Sequence, residues 1–205
     1  MNTMKPYQFR PENKKLPVRR RPNSEYRSRE YLTLDEVTRL IEVSKVRGRY
    51  CVRDHALLLM MFRHGLRVTE AATMRWDAVM LSERRVVIDR LKGGAQGNHP
   101  LQDDEVVALV ALREAYPNSP YLFPNERGDH LTRAAVAQIV RRCGELAELP
   151  LAVHAQMLRS SCASHLRNQG LDTRLSQEWL GLCSAEYTEM HNKLNPGRFD
   201  QISWA

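Results

Sequence analysis

The chain has 205 residues, enough for one substantial hydrophobic core and too few for two domains of ordinary size. No apolar run approaches the roughly 20 residues a membrane-spanning helix requires, which excludes a helical membrane protein. With 31 Lys and Arg against 24 Asp and Glu, the formal charge is +7 and the expected partner is a polyanion.

Residues 1–30 carry Lys5, Arg10, Lys14, Lys15, Arg19, Arg20, Arg21, Arg27 and Arg29 among four prolines, with three glutamates opposing. Too few apolar side chains stand here to offset the entropy of ordering, so a basic, flexible arm is expected. Arg19, Arg20 and Arg21 suit counterion-releasing contacts with phosphates and insertion into a narrow minor groove. The arm has no apolar core that would serve as a secretory signal, and the expected compartment is the cytoplasm. There Cys51, Cys143, Cys162 and Cys183 are expected to be reduced. No Cys-x-x-Cys pair occurs, so all four read as packing residues and not as metal ligands.

The folded domain is expected over residues 31–205. Thr33 with Glu36 three residues later is a capping box, Leu32 is placed as its hydrophobic staple, and Val37, Leu40 and Ile41 continue at helical spacing. Tyr50 to Arg63, YCVRDHALLLMMFR, is apolar around nearly its whole circumference and predicts a buried central helix. Gly65 ends it, and Arg67-Val-Thr-Glu70 opens a helix predicted to run to Trp76. Taken alone, Arg67 with Glu70 at i+3 is a common surface pair.

Val86 to Leu91 alternates as a strand does, and the glycine-rich stretch after it predicts a hairpin with Lys92 at its tip. Asp103 to Tyr116 predicts an amphipathic helix whose acidic start suits the macrodipole. After a proline-punctuated loop over 117–125, Thr132 is placed to cap a helix over 134–144. Its exposed face is expected to carry Arg133, Arg141 and Arg142. His154 stands on or before the start of the next helix, which bears Gln156 and Arg159.

The end of the chain holds QMLRSSCASHL (156–166), Asn168-x-Gly170, WLGL (179–182) and Tyr187-x-x-x-His191. Together with HGLRVTEA (64–71) and Arg90-Leu91-Lys92, these strings resemble the tyrosine recombinases. They are most similar to the short fimbrial phase-variation recombinases, which consist of little more than a catalytic domain. The resemblance covers residues 31–199 and implies a mainly α fold with a small β-sheet or hairpin at residues 79–101. It also implies double-stranded DNA as partner and a bacterial, nucleoid-associated location. It implies neither metal nor cofactor, since a covalent protein–DNA intermediate conserves the phosphodiester energy. The family exchanges a C-terminal segment between protomers; here Asp200 to Ala205 is short, and a free monomer that self-associates on DNA is expected.

In that family a His-x-Leu-Arg-His-Ser helix is followed by Leu-Gly-His, and a tyrosine nucleophile stands nine residues after that histidine. The resemblance puts Arg67 and Arg159 at the two arginine positions, where planar bidentate donors stabilise the extra negative charge of a pentacoordinate phosphate. Lys92 falls at the general acid that protonates the leaving 5′ oxygen. Three positions depart: Gln156 replaces a histidine or lysine, Leu182 a histidine or tryptophan, and His191 the tyrosine. Glutamine brings neither charge nor a transferable proton, and leucine brings no donor. The expected function is a DNA-binding regulator or accessory factor that no longer cuts. The alternative is an active site-specific recombinase whose nucleophile is Tyr187, four residues earlier, or His191 itself. Outside the family, a basic helical scaffold for RNA or protein would not account for matching strings at several independent positions.

Overall fold

The computed structural model describes residues 29–90, 96–182, 199 and 202–204. The fold is entered through a cap. Thr33 Oγ1 accepts the Glu36 N–H at 3.3 Å, and Glu36 Oε2 accepts the Thr33 N–H at 2.8 Å. Helix α1 (Leu34–Val46) starts there, as the sequence predicts, and a cap of this kind contributes about 1 kcal/mol. Leu32, Val37, Leu40 and Ile41 face the core, and the Leu32 N–H donates to Ser161 Oγ at 2.8 Å.

Helix α2 (Cys51–Arg63) follows, then α3 (Val68–Thr73), a 3-10 turn (Trp76–Ala78), and strands β1 (Val79–Met80), β2 (Arg85–Ile88) and β3 (Gly97–Pro100). Among the described residues, four helices complete the order: α4 (Asp103–Ala115), α5 (Arg133–Leu146), α6 (Ala155–Asn168) and α7 (Thr173–Trp179). Helix α2 packs on α1, α4 and α6, and from Ala56 to Phe62 no residue is more than 4% exposed. A helix apolar on all sides has to be covered on all sides, and burying one such leucine contributes about 2 kcal/mol.

The three strands form one antiparallel sheet in chain order, with Val86 opposite His99 and Ile88 opposite Gly97. The two-residue period puts Val86, Ile88, Gly97 and His99 on the covered face. The chain end returns to its own core. Phe199 meets Trp179 edge-on at 4.9 Å between centroids, Ile202 is buried, and Trp204 stacks on His165 and meets Phe62 edge-on.

Two sequence expectations are corrected here. Helix α3 stops at Thr73 instead of reaching Trp76, because the next residues pair with the 120–122 loop. The Met74 carbonyl accepts the Leu122 N–H at 2.8 Å, and the Trp76 N–H donates to the Pro120 carbonyl at 3.1 Å. Cys143 and Cys162 are core residues as expected, but Cys51 is partly exposed in the first turn of α2 with Sγ on the Gly48 carbonyl at 2.8 Å. Cys183 lies outside the described residues. None of the described helices is long and apolar enough to cross a membrane.

Candidate functional site

Three guanidinium groups converge between the α2–α3 turn, helix α6 and the end of α7. The turn itself is shaped by glycine: Gly65 has φ +56°, and a Cβ there would sit 2.5 Å from Leu180 Cδ2. The turn and the α7 terminus therefore approach closely only with glycine at 65. Arg67 follows it as the N-cap of α3. Its backbone N–H donates to Glu70 Oε2 at 2.8 Å and its Nη1 to Glu70 Oε1 at 2.6 Å. The Arg67 side chain is a quarter exposed while Glu70 is buried, so the pair is not the surface pair that i+3 spacing suggests.

Arg159 projects from α6 and is buried. Nη1 donates to the Gly65 carbonyl, and Nη2 to the Leu180 carbonyl at 2.6 Å. Burial first, then the neighbouring Arg90 and Arg67 charges, push its pKa down to about 10, which leaves it cationic at neutral pH. Arg90, just beyond β2, donates to Glu70 Oε2 at 3.0 Å, to the His64 carbonyl at 2.8 Å and to the Trp179 carbonyl. Burial acts to raise the Glu70 carboxyl; the Arg67 N–H, Arg90 and the Arg67 guanidinium outweigh it, and the net shift is downward. Three cations thus face one carboxylate, an arrangement that attracts an anion.

Behind this cluster is a buried polar chain. His64 Nε2 lies 2.9 Å from Glu105 Oε1, and His64 Nδ1 lies 3.2 Å from His99 Nδ1. The His99 ring packs 3.9 Å from Trp179, whose Nε1 donates to the Arg63 carbonyl at 2.8 Å. Cys162 shares that carbonyl at 3.4 Å, and burial pushes its thiol up to about 12. It is no nucleophile.

The remaining residues singled out in the sequence fall in different places. Gln156 is exposed in the first turn of α6, three residues before Arg159, and His154 is that helix's N-cap, 3.2 Å from Glu30. Leu182, just after α7, is 59% exposed, and its N–H donates to the Gln177 carbonyl at 2.8 Å. Arg133 and Arg141 are exposed on α5, with Arg141 near Glu145. Arg142 is half-exposed on the same helix and is engaged by Asp54 Oδ2 at 2.6 Å, a partner that the sequence does not show. Asp54 is fully buried and also held by Arg53, so Arg142 is the second cation on that carboxylate. Arg19, Arg20, Arg21, Lys92, Tyr187 and His191 lie outside the described residues.

Arg90, His64 and His99 do not stand out in the sequence as site residues. For Arg90 a signal exists: Val86 and Ile88 point inward, so the same parity points residue 90 inward too.

Residues 30–198 match the profile of the phage integrase family. The chain is 35% identical over 178 residues to the type 1 fimbriae regulatory protein FimB of Escherichia coli (strain K12), covering 84% of this chain and 88% of that one. The crystal structure of XerA recombinase superposes with a TM-score of 0.67 at 22% identity, over 85% of this chain and 66% of that one. The XerH site-specific recombinase, solved bound to its difH substrate, gives 0.65 at 25% identity over 85% and 53%. The helical fold with its three-stranded sheet is therefore that of a tyrosine recombinase catalytic domain, and the chain belongs to the phage integrase family of tyrosine recombinases.

Proposed function

We propose that this chain binds double-stranded DNA through a phosphate grip made of Arg67 and Arg159, joined by Lys92 from the family's general-acid position in the sequence, and that it no longer cleaves DNA. The observation that carries this reading is the gathering of guanidinium groups among the described residues: Arg67 and Arg90 share the Glu70 carboxylate, and Arg159 lies close enough to feel both cations. A phosphodiester oxygen supplies the missing negative charge. The chemistry is absent from the other side. Gln156 offers an amide without a transferable proton, Leu182 presents an apolar side chain to solvent, and His191 stands where the family has its tyrosine.

The solved XerH complex supports DNA as partner, and FimB, named a regulatory protein, supports action on DNA that ends in regulation. The basic arm over residues 1–30, with Arg19, Arg20 and Arg21, adds phosphate contacts that carry no sequence information. Several copies assemble on the duplex in this reading.

The test pairs two measurements on one sample: salt-dependent binding to duplex DNA, and a denaturing gel for covalent adduct on a nicked duplex. Binding with a steep salt slope and no adduct is expected. An adduct mapped to Tyr187 or His191 would make the chain an active recombinase with a relocated nucleophile.

A further inference from the structure

Arg90 is the most deeply placed cation of the site, its side chain wholly inaccessible to solvent, and it reaches no surface from which it could touch DNA. We infer that Arg90 is the positioning residue of the phosphate site: it holds Arg67 through Glu70 and Arg159 through the Gly65 carbonyl, and so sets the distance between the two gripping guanidiniums. The inference rests on the reading that Arg67 and Arg159 hold a DNA phosphate.

The geometry is one of shared acceptors. Glu70 takes Arg67 on Oε1 and Arg90 on Oε2, at 2.6 and 3.0 Å. The Gly65 carbonyl takes Arg159 and, at 3.4 Å, Arg90. Each gripping arginine is therefore one acceptor away from Arg90. Arg90 Nη2 holds the His64 carbonyl at 2.8 Å and the Trp179 carbonyl. One planar group thus joins the α2–α3 turn, the body of α3 and the end of α7. A guanidinium has five N–H donors in a fixed fork, whereas a lysine presents three from a single point and cannot span this set.

Charge and packing agree with that role. Burial pushes the Arg90 pKa down and Glu70 opposes the shift, so the cation is kept in place by its carboxylate partner. Its charge also acts on Arg159, which leaves two like charges close together until an anion arrives between Arg67 and Arg159. The stem is gripped as well. Gly181 has φ +63°, and a Cβ there would lie 2.4 Å from Arg90 Cγ, so the chain after α7 crosses directly over the arginine.

The test is a double-mutant cycle on the full chain: Arg67→Ala, Arg90→Lys and the pair, each titrated with a short DNA duplex at low salt. Circular dichroism and melting curves fix a temperature at which all four proteins are folded. Arg67→Ala is expected to weaken binding about tenfold, and Arg90→Lys to weaken it by a comparable factor in the native background. In the Arg67→Ala background, Arg90→Lys is expected to cost less than about twofold, because the residue it positions is gone. Equal losses in both backgrounds would reduce Arg90 to a general structural role and overturn the inference. No loss from Arg67→Ala alone would instead overturn the phosphate reading on which it stands. Should Arg90→Lys not fold, Arg90→Gln, which leaves no misplaced charge in the buried site, replaces it in the cycle, and the same two outcomes decide.

Discussion

The two sides of the site differ in what holds them. On the side of the α2–α3 turn, Arg67, Arg90 and Arg159 are tied to Glu70 and to the carbonyls of His64, Gly65, Trp179 and Leu180. Gln156 and Leu182, by contrast, stand in solvent. The contrast explains where a member of this family can lose chemistry without losing its fold. A buried guanidinium that satisfies backbone carbonyls cannot leave without orphaning them, whereas an exposed catalytic donor costs the fold little when replaced.

The contrast can be broken most dramatically by rebuilding the exposed side. His191→Tyr combined with Leu182→His is expected to form a covalent adduct on a nicked duplex selected for tight binding, and the native chain is expected to form none. Leaving out Leu182→His is expected to slow adduct formation about a hundredfold, the usual loss for one transition-state donor. If the double variant forms none on gels, the phosphate grip is not positioned for chemistry and the reading of the site as a disabled cleavage centre fails.

Stability should separate the two sides next. Arg159→Ala removes the donors to the Gly65 and Leu180 carbonyls and is expected to cost about 3 kcal/mol in urea melts. Gln156→Ala, three residues earlier on the same helix, is expected to change stability by less than about 0.5 kcal/mol. Similar values for the two would remove the distinction between a structural and a solvent-exposed side.

How far the sequence foretells this arrangement varies with the physics involved. Local rules carry the Thr33 cap, the buried α2 and the hairpin pairing, because each is set by residues within a few positions of one another. Helix periodicity overextends α3 because the end of that helix is decided by hydrogen bonds to a loop far along the chain, Trp76 to Pro120 and Leu122 to Met74. Arg142 escapes local rules for the same reason: its partner Asp54 lies on α2, and no periodicity of α5 reveals a buried carboxylate elsewhere. The two gripping arginines are legible only through the resemblance. Arg90 is legible through strand parity, but a charged residue at a strand end reads as solvent-facing until its four acceptors are seen together.

Acid sharpens the comparison further, through Glu70. Its carboxyl is held below the ordinary glutamate range, since its arginine partners and the Arg67 N–H outweigh the upward pull of burial. A folded pKa lower than the unfolded one means that Glu70 adds stability at pH values above the unfolded pKa and loses it as pH falls through the folded value. Glu70→Gln should therefore be less stable than the native chain near pH 7, with the gap closing as pH falls below the ordinary glutamate range and through the lower folded pKa. A gap that stays constant over that range would show that Glu70 is not the carboxylate that balances the cluster.

The smallest effect concerns helix α5, where the same distinction between held and free cations recurs on one element. Arg133 is exposed at its start, whereas Arg142 is spent on Asp54, which Arg53 holds as well. Arg133→Ala is expected to lower the slope of log affinity against log salt by about 1 and to leave stability unchanged, as the removal of a single cation from the phosphate backbone requires. Arg142→Ala is expected to do the reverse. The slope stays, and stability falls by only about 1 kcal/mol, because this half-exposed cation leaves Asp54 with its second partner. A slope change from Arg142→Ala would mean that the Asp54 pair opens when DNA arrives, and that the pairing of this side chain is a resting position. The charge facing the duplex along α5 would then be larger than the free protein displays.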